Sequence, residues 1–437
     1  MTGGASPGPT RPTGHAGPVN GGPGTTTDVE NLLRAEAPQV LGALLRRFGR
    51  FDMAEDAVQE ALLAASRTWP TQGVPEDPRS WLIRIGYRRM VDVLRSDQAR
   101  RRREREAGVA ELAMQETNRR ASPPQETDDS LTLLLLCCHP VLSHASQVAL
   151  TLRAVGGLTT AEIAHAYGTS EATMGTRISR AKRQLTRAGA HFTAPTAADR
   201  PSRVSAVMRV LYLIFNEGYA ASAGDELARL DLTDEAIRLT RTLVDAMPDE
   251  AEATGLLALM LLTESRRAAR TGEDGRLLPL DEQDRTRWNR GLIREGTELI
   301  DKVWNRGETG PYQLQAAIAA LHAAAAAPQH TDWPQIAMLY LWLERLTPTA
   351  PVRLSRVVAV AQAFGPARGL ALLDDLNRRH GLDQDPLTRR RERAVRAHLV
   401  QMTGDTAGAA TLYREAASLS DNQVERRYLL GEADRLT

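Results

Sequence analysis

Apolar positions recur every three to four residues through almost the whole chain, and stretches that alternate apolar and polar residues are nearly absent. A period of 3.6 residues is typical of helices that bury one face, and the helix-favouring residues Ala, Leu, Arg and Glu are abundant. The pattern therefore predicts an all-α protein.

Breaks in this pattern divide the chain into domains and connecting segments. Residues 1–27 are rich in Gly, Pro and Thr and contain no apolar run of the signal-peptide kind, which predicts a disordered tail. Residues 99–128 are highly charged and residues 191–203 carry prolines and small polar residues, so both predict linkers. Folded domains are expected at 28–98, 129–190 and 204–437.

The last domain contains pairs of helical segments separated by glycine. "PVRLSRVVAVAQAFG" is followed by "PARGLALLDDLNRRHG", and a similar pair surrounds Gly404. The distance from Gly365 to Gly404 is close to the period of tetratricopeptide repeats with a short insertion, which predicts a tetratricopeptide-like array. Residues 204–334 are predicted to be helical without a clear repeat. Polar clusters there, such as "LLPLDEQDRTRWN", suit a ligand pocket or buried ion pairs and caps, and we favour the second interpretation.

A helix-turn-helix is predicted in the second domain. Thr159 is placed to cap a short helix together with Glu162, Gly168 supplies the turn, and Ser170 is placed to cap the second helix. An apolar stripe on that second helix predicts burial: Met174, Ile178, Ala181 and Leu185.

The other side of this second helix carries threonines and arginines at the spacing of one face. Such a helix fits the major groove of DNA, which favours a DNA reader over a helical hairpin with a solvated basic face. Gly175 lies in mid-helix and costs about 1 kcal/mol relative to Ala. We consider two reasons for it, a close approach to DNA or a less rigid helix.

The first domain contains "FDMAEDAVQEALLAASRTWP", where Asp52 and Glu55 predict a capping box. Ala57, Val58, Ala61, Leu62 and Ala65 predict the buried stripe of this helix. An acidic and polar outer face remains, formed by Asp56, Gln59 and Glu60. Such a face suits a basic protein surface, although charged helix faces are usually only solvated.

The next helix, "SWLIRIGYRRMVDVLR", points Leu82, Ile85 and Val93 inward and arginines outward. Trp81 and Tyr87 lie among these arginines. Aromatic side chains between cations suit unpaired nucleic-acid bases, while the alternative is a structural Trp beside a solvated basic face.

Composition narrows the class of protein further. The chain is 42% hydrophobic and 25% charged with a net charge of +1, which is ordinary for a globular protein, and no apolar run reaches the length of a membrane span. The adjacent Cys137 and Cys138 predict buried apolar residues in a reducing cytoplasm, with no metal site. No phosphate-binding loop, zinc-protease helix or nucleophile elbow is present, so we expect no enzyme activity and no cofactor.

These segments together resemble the extracytoplasmic-function sigma factors of bacterial RNA polymerase. The stretch around "AEDAVQEAL" resembles region 2 of that family, "SWLIRIGYRRMVDVLR" its promoter-melting helix, and "LTTAEIAHAYGTSEATMGTRISRAKRQL" its region 4. The resemblance covers residues 28–190, under half of the chain. "LLLLCCHPVLSHASQVALTLRAVGGL" and "LYLIFNEGYAAS" are similar to the subgroup with a C-terminal tetratricopeptide-like extension.

The resemblance implies two partners, the RNA polymerase core and promoter DNA. The residues implied to bind the core are Asp56, Gln59 and Glu60. Those implied at the minus-ten element are Trp81, Arg84, Arg88, Arg89 and Arg95. Those implied at the minus-thirty-five element are Glu171, Ala172, Thr173, Thr176, Arg177 and Arg180. The loop at 71–77 corresponds to the family's pocket for a flipped base. Gly175 and the arginines of "YRRMVD" differ from the residues that are common at these positions in the family. The resemblance therefore does not imply a particular promoter sequence.

Three roles are open for the C-terminal domain, which can cover the DNA-reading helices, bind a protein partner or contact the polymerase. Two alternatives to a sigma factor also remain. One is a helix-turn-helix regulator that binds duplex DNA without polymerase through a helical-repeat sensor. The other is a helical-repeat scaffold that has lost DNA binding.

Overall fold

The computed structural model describes residues 26–106, 129–193, 195–219, 230–272, 278–304, 306–307, 309–420 and 423–437. Regular structure in these ranges is helical, which confirms the predicted all-α fold. Nearly all of the predicted tail and most of the predicted linker at 99–128 lie outside the described residues. Among the residues that are described, no helix is both long enough and apolar enough to cross a membrane.

Three helices form the first bundle, and they pack on one another. They are α1 (Thr26–Phe48), α2 (Phe51–Gln72) and α3 (Pro78–Glu106). The predicted stripe of α2 is buried, as are Leu82 and Met90 of α3, while Ile85 and Val93 are partly buried. Helix α3 continues beyond the limit at 98 that the sequence predicted for this domain.

Four helices form the second unit: α4 (Ser130–Cys137), α5 (His144–Ala154), α6 (Thr160–Ala166) and α7 (Glu171–Arg187). Helix α7 packs on α5 and α6, and it also contacts α2 of the first bundle. Cys137 and Cys138 are buried here as expected, and burial raises the pKa of the Cys138 thiol to about 12.

The remaining helices follow one another as packed neighbours. They are α8 (Arg200–Tyr219), α9 (Leu230–Ala246), α10 (Ala251–Glu264), α11 (Arg290–Val303), α12 (Pro311–Ala324), α13 (Trp333–Leu346), α14 (Ala350–Phe364), α15 (Pro366–His380), α16 (Arg389–Met402), α17 (Thr406–Ser418) and α18 (Gln423–Arg435). Gly365 and Gly404 lie at the predicted turns with φ of 95° and 90°, a region that favours glycine.

One continuous cluster of buried apolar side chains extends from α1 through α10. It joins the three-helix bundle, the helix-turn-helix unit and the start of the C-terminal domain. Helices α8 and α9 lie against α4, and α8 also lies against α5. The first two units and the start of the C-terminal domain therefore form one packed body.

Candidate nucleic-acid interface

The helix-turn-helix has the local geometry that its sequence predicts. Thr159 accepts a hydrogen bond from the Glu162 amide at 3.1 Å, and the Glu162 carboxylate accepts one from the Thr159 amide at 2.7 Å. This reciprocal capping box begins α6. Gly168 forms the turn with φ of 55°, and the Ser170 hydroxyl accepts from the Thr173 amide at 3.2 Å to cap α7. Both helices are thus fixed by side chains at their first turns.

One face of α7 holds it in the domain. Met174, Ile178, Ala181 and Leu185 are all buried, as the apolar stripe predicts. Gly175 faces α6, because a Cβ added there would lie 3.8 Å from the Thr160 methyl group. That contact is ordinary, so the packing of α6 against α7 does not require a glycine at this position.

The opposite face of α7 is open to solvent in the described structure. Glu171, Ala172, Thr173, Thr176 and Arg180 are exposed, and Arg177 is partly exposed. Arg177 and Arg180 line an open groove of about 570 Å³ together with Ser143 and Ser146 at the start of α5. Within the described part of the chain, neither guanidinium group has a carboxylate partner.

The groove has the chemistry of an anion site. Helix α5 begins at its cap Ser143, so its free amides and the positive end of its dipole lie beside Arg177 and Arg180. Phosphate groups are among the anions that this combination can bind, and the threonines of α7 lie exposed beside it.

The implied minus-ten residues lie along α3. Arg84, Arg88, Arg89 and Arg95 are all exposed, and Arg89 forms an ion pair with Glu60 at 2.7 Å. Trp81 is half-buried and packs edge-on against Trp69, with ring centroids 5.5 Å apart. Trp81 therefore supports the packing of α2 on α3, whether or not it also meets a base.

The implied core-binding residues lie on the outer side of α2. Asp56 and Glu60 are exposed and Gln59 is partly exposed. Both carboxylates already have internal partners, since Glu60 pairs with Arg89 and Asp56 accepts a hydrogen bond from Lys182 of α7 at 2.7 Å. The acidic face is thus partly neutralised in this conformation.

The predicted capping box at the start of α2 is wrong. The helix begins at Phe51, its N-cap position is Arg50, and no side chain caps it. Glu55 instead turns inward and is only 1% exposed, because two cations from the helix-turn-helix unit hold it there. A distant ion pair has replaced the local cap that the spacing of Asp52 and Glu55 suggested.

Glu55, Arg153 and Lys182 form the main polar contact between the two units. Arg153 donates its Nε–H to Glu55 Oε1 at 2.8 Å, and the Lys182 ammonium donates to Glu55 Oε2 at 2.5 Å. Burial alone would lower the pKa of Lys182, but the charges of Glu55 and Asp56 outweigh it and raise that pKa. A second pair, Arg34 with Glu162 at 2.7 Å, joins α1 to α6.

Sequence reasoning missed this cluster, although one signal was present. Lys182 is one of only two lysines in a chain whose other cations are arginines. It also follows Ile178 by four residues, so it lies on the apolar side of α7. A lysine on a buried stripe requires a carboxylate partner from another element.

The C-terminal domain contacts α4 and both ends of α5, and Arg209 Nη1 lies 3.1 Å from His144 Nε2 next to the groove. Arg203 donates to the Leu135 carbonyl oxygen at 3.2 Å, and Arg238 donates to the Val155 carbonyl oxygen at 3.4 Å. The exposure of Thr173, Thr176 and Arg180 means that the described part of this domain does not cover the reading face. Covering of this face by the array is thus not seen among the described residues, and that role stays a prediction.

Comparison with known proteins matches three parts of the chain to family models. Residues 32–101 match sigma-70 region 2, residues 132–185 match sigma-70 region 4, and residues 203–304 match a family of unknown function, DUF6596. An uncharacterized protein of Rhizobium meliloti (strain 1021), R00370, is 40% identical over 417 residues, which cover 93% of this chain and 96% of the relative. No solved structure matches the chain.

Region 2 coincides with the bundle that carries the basic face of α3, and region 4 with the unit that carries the exposed arginines of α7. Sigma-70 factors initiate transcription with RNA polymerase and are not enzymes. The chain belongs to the sigma-70 family of RNA polymerase sigma factors.

Proposed function

We propose that this sigma factor is of the extracytoplasmic-function type and reads two promoter elements through the exposed faces of α3 and α7. The observation that carries the proposal is the open face of α7, where Arg177 and Arg180 lie beside the start of α5 without carboxylate partners among the described residues. The cytoplasmic location remains a prediction.

At the minus-thirty-five element, α7 lies in the major groove. Arg177 and Arg180 bind guanine edges or phosphates, while Glu171, Ala172, Thr173 and Thr176 meet the adjacent groove floor. The α5 amides hold a backbone phosphate, which sets the register of the reading helix.

At the minus-ten element, α3 faces the strand that is separated from its complement. Arg84, Arg88, Arg89 and Arg95 follow its phosphates, and their exposure supports this role. Trp81 contributes through its accessible edge, because its other side is committed to Trp69. The loop at 71–77 receives a flipped base.

Core polymerase binds the outer face of α2 through Asp56, Gln59 and Glu60. A basic polymerase surface then competes with Lys182 for Asp56 and with Arg89 for Glu60. Loss of the Lys182–Asp56 bond weakens the contact between region 2 and region 4. Polymerase binding is thereby coupled to separation of the two DNA-reading units.

The C-terminal domain is a tetratricopeptide-like domain that packs against α4 and α5 of region 4. Its remaining surface binds a partner. Helices α8 and α9 close the core behind α4, which supports a structural role for the start of this domain. The later helices are free to carry a regulatory contact.

A run-off transcription experiment tests this function. Sheared genomic DNA of the source organism is transcribed by core polymerase with and without the full-length chain, and the 5′ ends of the transcripts are sequenced. The proposal predicts transcripts that depend on the chain and share two upstream elements. Transcription that is identical with and without the chain would overturn it.

A further inference from the structure

A cavity of about 340 Å³ that is open to solvent lies on the C-terminal domain, between α10, α12, α13 and α14. Its apolar walls are formed by Leu259, Ile318, Leu343 and Val352, of which the first three are buried. This volume lies at the small end of the range for ligand pockets, about 300–1,000 Å³. The space therefore suits a compact molecule with an apolar body.

One cation lines the cavity without a counter-ion among the described residues. Arg266 follows the end of α10 and is half-buried, and its guanidinium group has no ion pair or hydrogen bond with any described side chain. The residues that line the cavity include no Asp or Glu. A partly buried guanidinium group in this setting favours the binding of an anion.

The surroundings of Arg266 add positive charge rather than neutralise it. Arg285 is only 8% exposed. Its guanidinium group donates hydrogen bonds to the carbonyl oxygens of His322 and Ala325 at 2.6 Å each, which places a second buried cation at the end of α12. His322 also lines the cavity. Burial, with the charges of Arg266 and Arg285, lowers the pKa of His322 to about 4, so its imidazole ring is neutral at pH 7.

Neutral polar groups complete the wall near Arg266. Tyr340 and Ser355 line the cavity and share a hydrogen bond. Thr263, one turn before Arg266, adds a further hydroxyl. Hydroxyl groups, a guanidinium group and aliphatic side chains thus line one amphipathic site.

We propose that this cavity binds a small organic monocarboxylate, with its carboxylate on Arg266 and its alkyl chain or single ring against Leu259, Ile318 and Leu343. The ligand contacts α10, α12, α13 and α14 at once, so its binding stabilises the C-terminal domain. This inference does not depend on polymerase or DNA binding.

Isothermal titration of the full-length chain with hexanoate, octanoate and benzoate tests the proposal. Hexylamine and hexanol serve as cationic and neutral probes of similar size. We expect at least one of the three carboxylates to bind and the amine and alcohol to bind at least tenfold more weakly, since a charge-assisted hydrogen bond to Arg266 is available only to the anion.

Arg266→Gln should weaken carboxylate binding at least tenfold, whereas Arg294→Gln, at an exposed position on α11, should leave it unchanged. Ala319→Leu, which fills the cavity, should also abolish binding, and circular dichroism establishes that each variant is folded. If Arg266→Gln does not fold, the Ala319→Leu variant and the amine and alcohol probes decide the question. Failure of all three carboxylates to bind, or equal affinity in the Arg266 and Arg294 variants, would overturn the proposal.

Discussion

Lys182 links region 4 to region 2. It lies on the buried side of α7 and holds two carboxylates of region 2, Glu55 and Asp56. Because Glu55 is buried, removal of Lys182 leaves Arg153 as its remaining cation.

Substitution Lys182→Met should therefore lower the free energy of unfolding by about 2 kcal/mol. The Glu55→Gln variant should be destabilised as well, but the double variant by less than the sum of the two, with a coupling energy of about 1 kcal/mol. Urea denaturation of the four proteins measures this cycle. Lys302→Met, at the exposed second lysine of the chain, is the matched control and should change little. Additive effects at Glu55 and Lys182 would show that the buried pair is not a stabilising contact.

The position of Glu55 was not predictable from the local sequence. Its spacing from Asp52 matched a capping box, and the same rule succeeded at Thr159 and Glu162. Both carboxylates have distant cationic partners, since Glu162 pairs with Arg34, which is 128 residues away in the chain. Glu162 has a single such partner and stays partly exposed, so its other oxygen still caps α6. Glu55 is instead held in the interior by two cations, Arg153 and Lys182.

A second residue-scale prediction concerns His322. Its lowered pKa means that the unfolded chain takes up a proton below about pH 6.5 while the folded chain does not until about pH 4. Stability should therefore fall as pH decreases through this window, partly because protonation of His322 is opposed by burial and by Arg266 and Arg285.

Substitution His322→Phe, which keeps the ring against Trp333, should reduce the loss of stability between pH 7 and pH 5 by about 1–2 kcal/mol. Chemical denaturation at the two pH values provides the measurement. The exposed His330→Phe variant is the control and should keep the full pH dependence. An unchanged loss in His322→Phe would mean that other groups set the acid sensitivity.

At the scale of elements, α7 combines two faces with different tasks. Its buried stripe and its exposed arginines were both predictable from the 3.6-residue period, because each depends only on positions along one helix. The contact of α7 with α2 was not predictable from that period, because it depends on how two domains pack against each other. The helix pairs around Gly365 and Gly404 were predicted for the same local reason.

The double variant Arg177→Ala/Arg180→Ala tests the reading face. On the promoter recovered by run-off transcription, the holoenzyme should bind more weakly, and the dependence of log affinity on log salt concentration should fall by about one or two units. Fluorescence anisotropy across a salt series measures both quantities. The matched variant Arg378→Ala/Arg379→Ala on α15 should leave them unchanged. Equal affinity and slope in the α7 variant would exclude this face from DNA binding.

At the scale of the whole molecule, the C-terminal domain is part of the fold of region 4. Helix α8 buries Val207, Leu211 and Ile214 in the cluster that also contains the leucines of α4. Domain limits predicted from sequence do not reveal this shared core, because the apolar face of a helix does not identify the domain against which it packs.

A fragment of residues 1–198 should therefore be unstable. We expect it to melt at a lower temperature than the full chain and to bind an apolar fluorescent dye, because the surface under α8 and α9 becomes exposed. A fragment of residues 1–304 keeps these helices and should bind little dye. Thermal melts with the dye present compare the three proteins. An unchanged melting temperature for 1–198 would show that region 4 folds without the C-terminal domain.

The most direct test of the central claim is the binding of the labelled full-length chain to RNA polymerase core without DNA, measured by fluorescence anisotropy. A sigma factor binds tightly with one chain per core, Asp56→Arg weakens the affinity at least tenfold, and Glu298→Arg on α11 does not change it. Lys182→Met, which frees Asp56, binds at least as tightly as the natural chain. Absence of binding by both the full chain and Lys182→Met would contradict the account.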